Sequence, residues 1–325
     1  GDISLTGGRA LGSDTTTDVG GDLFFTGGQA SSATGGSIAI MSGYSDSTHS
    51  GAISVSTDNA GASGVSGPMS LSTGKTTAGT SGKIELETGQ GVGGAGGNVE
   101  VSVGAGDFGD GGEIKLTAGS TVSDGSSGGK ITLHAGPGIN EDKGSMGISG
   151  GDIVLTAGEA DSDSSGASGV GGDVMIYGGE SELNYGGSLT FMSGYSQSTT
   201  SGNITVGTEN AGASGVSGLI DVSTGATTDG HSGKIQVTTG TATNGAGGDI
   251  AMSVGTGNTG NGGNVFVRAG ETTDDKSAGG NIALEGGMGS STDGFGGGVG
   301  GDISLTGGRA LGSDTTTDVG GDLFF

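Results

Sequence analysis

Five carboxylates are placed where alternating oxygens in flexible sequence would suit a hard cation: Asp14 and Asp18 in one stretch, Glu159, Asp161 and Asp163 in another. Such oxygens match the coordination taste of calcium. The full nonapeptide G-G-x-G-x-D-x-U-x of calcium-binding β-rolls, with U a large apolar residue, is not present, and neither is the EF-hand loop. The expectation is therefore weak surface binding of calcium at most, and no other cofactor. Asp161 and Asp163 also form a close carboxylate pair, yet their surroundings are Ser-rich and offer no apolar pocket to shift a pKa for acid–base work. His49, His134 and His231 fall in different stretches of the chain with no cysteine partner. No catalytic residue is assigned, and the chain is not expected to be an enzyme. Asn203-Ile204-Thr205 is an N-glycosylation sequon. Tyr44 and Tyr195 stand at equivalent turn positions, where they suit lateral contacts between copies or a platform for carbohydrate.

The elements that must carry these residues are short and repetitive. Residues 301–325 repeat residues 1–25 letter for letter, so the chain covers slightly more than one 300-residue period of a tandem array. Within the period the sequence divides before recurring glycines into segments with the pattern G-x-Φ-x-Φ-x-s-G, where Φ is apolar and s is small. Residues 82–96, GKIELETGQGVGGAG, are one example. Apolar residues two apart and rich in Ile, Leu and Val indicate strand with one buried face. One strand per 15 to 22 residues predicts an all-β fold: a single-chain parallel β-solenoid with a thin, small-residue core and no helix. The expected core ladder includes Ile3, Leu5, Ile38, Ile40, Ile84, Leu86, Ile114, Leu116, Ile153, Leu155, Ile204, Val206, Ile282 and Leu284.

A second period lies inside the first. Segments starting at 36, 51, 67, 82, 97 and 112 return at 187, 202, 218, 233, 248 and 263, each displaced by 151. The expected organisation is a nine-coil half-repeat over 1–150, a diverged second half over 151–300, and the start of the next repeat at 301–325. Longer arcs recur at 112–171 and 263–320 and are expected to form a surface bump.

Composition narrows the partners. The chain has 325 residues, with 83 Gly, 2 Pro and no Cys, and a formal charge of −25. Glycine at this level suggests collagen or disorder, but collagen's three-residue period is missing and a flexible linker has no reason to keep the apolar pattern. Nucleic acid is excluded for want of clustered Lys and Arg. Membrane insertion is not expected, because no stretch reaches the length of a span. The expected partners are other copies, end to end and laterally, and glycans.

The motifs SGAISVST (50–57), NAGASGVSG (59–67), TSGKIELETG (80–89) and GGNVEVSVG (96–104) resemble those of Ser/Gly/Thr-rich tandem-repeat proteins. The family meant is the secreted and cell-surface fibrous proteins of diatoms and related stramenopile algae. The resemblance implies an extracellular, fibre-like or adhesive role and carries over no catalytic residues. Together these readings predict a structural protein forming a stiff extracellular filament or stalk. The alternative is a binding module that grips glycans or mineral surfaces through calcium.

Overall fold

A computed structural model of the chain describes residues 2–12, 19–139, 149–160, 169–291, 297–311 and 319–323. The chain falls into two units, Gly1–Val174 and Met175–Phe325. The described residues contain no helix and no strand. That corrects the expected β-solenoid. A solenoid needs each segment to exchange backbone N–H···O=C bonds with the segments before and after it. Here the backbone bonds are confined to single contacts where one segment hands over to the next, and to a few tight turns.

The thin core is absent too. No described residue is buried, and the expected ladder stands in solvent. Ile3, Leu5, Ile38, Ile40, Ile84, Leu86, Ile114, Leu116, Ile153, Leu155, Ile204, Val206, Ile282 and Leu284 are all exposed, between 51 and 75 % apart from Ile3. Two aliphatic side chains per segment can be covered only if something packs over them. The arcs that follow are mostly Gly, Ser, Thr, Ala, Asn and Asp, and the apolar residues they carry, such as Leu11, Val65, Val92, Phe108 and Val122, are themselves exposed. Accessible area tells the same story: 32070 Å² for a 30.4 kDa chain, against about 12,000 Å² for a compact globule of that mass.

The local conformation nevertheless keeps the alternation. Lys83 Nζ lies 2.6 Å from Glu85 Oε2, Lys234 Nζ donates to Gln236 Oε1 at 2.5 Å, and the Tyr177 hydroxyl donates to Met175 Sδ at 3.3 Å. All three join residues two apart. Neighbours two apart do not meet on a helix but share a face in extended backbone. The segment openings are therefore extended yet unpaired, with positions 2, 4 and 6 on one side and the apolar positions 3 and 5 on the other.

What order there is repeats with the sequence. Bends at 31–33, 46–48, 77–79 and 92–94 return at 182–184, 197–199, 228–230 and 243–245. Gly93 and Asn244 occupy the same place in this scheme, and both have positive φ, 76° and 62°. Asparagine is among the few side chains that tolerate that region, so the turn survives the substitution.

Candidate interaction surface

The joints between segments are built by the seventh and eighth residues of one segment and the first glycine of the next. In eleven of them the glycine N–H donates to the carbonyl of the residue at position 8, at 2.7–3.0 Å. Gly21 to Gly8, Gly36 to Gly28, Gly129 to Gly119 and Gly151 to Gly136 are examples. Each bond closes an arc whose two ends meet at a neck, in the manner of an Ω-loop.

Four consecutive joints in each half lack this bond: 58 to 67, 74 to 82, 89 to 97 and 104 to 112, and again 209 to 218, 225 to 233, 240 to 248 and 255 to 263. The residue at position 7 separates the two classes without exception. Closed necks carry Gly7, Gly27, Ser42, Ala118, Ala135, Ala157, Gly178, Ser193, Ala269, Gly286 and Gly307; open necks carry Thr57, Thr73, Thr88, Val103, Thr208, Thr224, Thr239 and Val254.

The cause is steric. A side chain added at Gly7 or Gly27 would collide with the carbonyl oxygen of Gly21 or Gly36, so the backbones touch there. Alanine and serine still fit: the Cβ of Ala118 and that of Ser42 lie 3.2 and 3.5 Å from where a Cβ on the incoming glycine would sit. A β-branched residue places a methyl in the gap instead. At Gly112 the nearest atom to such a Cβ is Val103 Cγ1, and at Gly82 it is Thr73 Cγ2. Two open necks are bridged by a hydroxyl: Thr88 Oγ1 donates to the Gly97 carbonyl at 3.1 Å, and Thr224 Oγ1 to the Gly233 carbonyl at 3.3 Å. The few described residues that are not fully exposed are concentrated at closed necks, Gly7, Gly27, Ala118, Ala135, Ala157, Gly178, Ser193, Ala269 and Gly307 among them. The pattern was present in the sequence as a small or β-branched seventh residue. Nothing in the sequence alone tied that choice to two kinds of joint.

The sequence-derived site residues fall as follows. Asp14, Asp18, Asp161 and Asp163 lie outside the described residues, as do the tips of several longer arcs expected to form a bump. Glu159 is exposed. Among the described residues no group of three or more His, Cys, Asp or Glu is placed to hold a metal ion, and no cavity is present. His49, His134 and His231 are exposed. Asn203 is exposed at position 2, on the same side as Thr205 at position 4. Tyr44 and Tyr195 are exposed, each beside a serine–threonine turn. Ser45 Oγ lies 3.0 Å from Thr48 Oγ1 and accepts the Thr48 N–H at 3.1 Å; Ser196 and Thr199 repeat both contacts at 2.9 and 3.0 Å.

One ionisable group is perturbed. The Ser277 hydroxyl, and then the Lys276 backbone N–H, donate to the Asp274 carboxylate and hold its pKa below the ordinary value of 3.8. This turn has its counterpart at Ser123 to Ser126, where the same backbone bond closes without a carboxylate. A single stabilised surface carboxylate tightens a turn and does not make a reactive site.

The described residues thus present exposed apolar pairs at positions 3 and 5 of each segment, and mostly polar or charged groups at positions 2, 4 and 6. No helix among the described residues is long and apolar enough to cross a membrane. Comparison with protein-family models, with curated proteins and with solved structures finds no match.

Proposed function

We propose that this chain is a structural protein, a portion of an extracellular tandem-repeat array that serves as a filament or stalk and has other copies of itself as its main partner. The observation that carries this reading is the 25-residue identity at a spacing of 300. Its structural echo supports the reading: necks, bends and turn hydrogen bonds recur at a spacing of 151. An array of this kind works through length and repeated surface, which suits a chain whose described residues offer neither cavity nor metal cluster.

The test is to sequence the polypeptide through the junction in native material. An array requires Phe325 to be followed by the residues that follow Phe25, beginning Thr26-Gly27-Gly28-Gln29, and an intact mass that grows in steps of one period. A junction leading into unrelated sequence would contradict the array. Saturable, calcium-dependent binding of a glycan by a single period would favour an adhesive module instead.

A further inference from the structure

Of the chain's eleven asparagines only Asn244 and Asn261 are followed by glycine. Both lie in arcs of the second half, and both are exposed. An amide side chain directly ahead of a glycine is open to attack by that glycine's own backbone nitrogen. We propose that Asn244 and Asn261 are sites of spontaneous modification, where the chain converts an amide to a carboxylate with water as the only co-reactant. This goes beyond the array reading and does not rest on it.

The step balances without an oxidant or a reductant. The backbone nitrogen of Gly262 gives its proton to solvent and bonds to Cγ of Asn261. The Cγ–Nδ2 bond breaks, Nδ2 takes up a proton and leaves as ammonia, and a cyclic imide remains. Water then opens the ring. Cleavage at Cγ gives aspartate, and cleavage at the backbone carbonyl gives isoaspartate, whose main chain runs through Cγ. Asn244 and Gly245 follow the same course.

Four observations place the step at these two pairs. The attacking nitrogens are unengaged: among the described residues neither the Gly245 nor the Gly262 N–H donates a hydrogen bond, unlike the glycines that close necks. They are also uncrowded. A Cβ built on Gly245 or Gly262 would meet nothing within 4 Å beyond its chain neighbours, and glycine has no Cβ of its own to hold the side chain off. Asn258 and Asn264 instead precede Thr259 and Val265, whose branched Cβ crowds the nitrogen. The approach itself occurs in this chain: the Tyr185 N–H donates to Asn184 Oδ1 at 2.9 Å, and the Asn59 N–H to Asp58 Oδ1 at 2.8 Å. In both, a side chain folds back over the nitrogen that follows it. Finally, the product residue is already accommodated one half-repeat away. Asn261-Gly262-Gly263 corresponds, at the spacing of 151, to Asp110-Gly111-Gly112, and both lead into open necks. Each conversion adds one negative charge to a chain of −25. The second half thus gains with age a carboxylate that the first half has from the start.

Trypsin supplies the readout, because residues 235–268 lie between Lys234 and the cleavage after Arg268 and carry Asn244, Asn258, Asn261 and Asn264 in one peptide. The intact chain is aged in oxygen-18 water, digested in ordinary water and mapped by fragmentation mass spectrometry. Acid carrying the heavy oxygen is expected at Asn244 and Asn261, as a mixture of aspartate and isoaspartate, about tenfold faster than at Asn258 or Asn264. Gly262→Ala is expected to slow Asn261 about tenfold and leave Asn244 unchanged, since the added methyl crowds only the adjoining nitrogen. A synthetic peptide of residues 255–268 shows what an unrestrained backbone does under the same conditions. Equal rates at all four asparagines, a rate at Asn261 that Gly262→Ala does not move, or an intact chain that stays unconverted while the peptide reacts would overturn the proposal.

Discussion

At the scale of single residues the chain controls its backbone with very small chemical differences. One methyl group at position 7 decides whether the next glycine reaches its carbonyl. One hydroxyl at Ser277 is the larger of two hydrogen-bond donors that lower the pKa of Asp274. Because the folded Asp274 titrates below its ordinary value, its contribution to the turn is fully present above that value. It is lost as pH falls through the lower, folded one. Ser277→Ala removes the larger of the two causes, so the carboxyl should titrate higher, back toward 3.8. Carbon-detected NMR of the Asp274 side chain measures this directly, with the unaltered chain as the reference.

At the scale of the segment the joint is the element that matters, and it can be exchanged. Ala118→Val puts a β-branched residue into a closed neck and should open it. The Gly129 amide would then exchange with solvent about tenfold faster, the loss expected for one hydrogen bond worth about 1.4 kcal/mol. Thr73→Ala should do the reverse and slow exchange at Gly82 by a similar factor. Both changes are read by hydrogen exchange at a single amide, and an unchanged rate in either would separate the seventh residue from the state of the neck.

This is also the scale at which legibility divides. The segment boundaries, the 151-residue echo and the alternation through Lys83, Ile84 and Glu85 are written in residue type and spacing, which are local properties. The pairing of segments is not. It depends on whether backbone groups of one segment meet those of the next, and that distance is set by what sits between them. Alternation at Ile84 and Leu86 implied a buried face, but the apolar residues of the arcs, Val92 and Phe108 among them, stay exposed and do not cover it. Of the site residues, the placement of Asn203 beside Thr205 was legible from the period of two. The equivalence of Tyr44 and Tyr195 was legible from the repeat, and the supporting Ser45–Thr48 contact was not. Asn244 at positive φ was hidden because its counterpart, Gly93, carries no side chain to announce the requirement.

At the scale of the whole molecule the apolar supply and the acidic charge have to be reconciled. A chain with 32070 Å² accessible and no buried residue among those described gains little from hydrophobic burial within itself. Its apolar residues at positions 3 and 5 lie exposed in a chain whose formal charge is −25. Ionic strength should leave the necks unchanged, since their bonds are between uncharged backbone groups.

Residue-resolved amide exchange on one period tests this picture most directly. Protection should be confined to the glycines that open segments after a small seventh residue, such as Gly21, Gly36, Gly51, Gly129 and Gly151, and to the turn amides of Gly64, Ser126, Gly215 and Ser277. It should be missing at Gly67, Gly82, Gly97 and Gly112 and along positions 2 to 6 of every segment. Continuous protection through Ile38 to Ile40, Ile84 to Leu86 and Ile114 to Leu116 in dilute, monomeric protein would instead mean paired strands, and would contradict the open, neck-jointed chain described here.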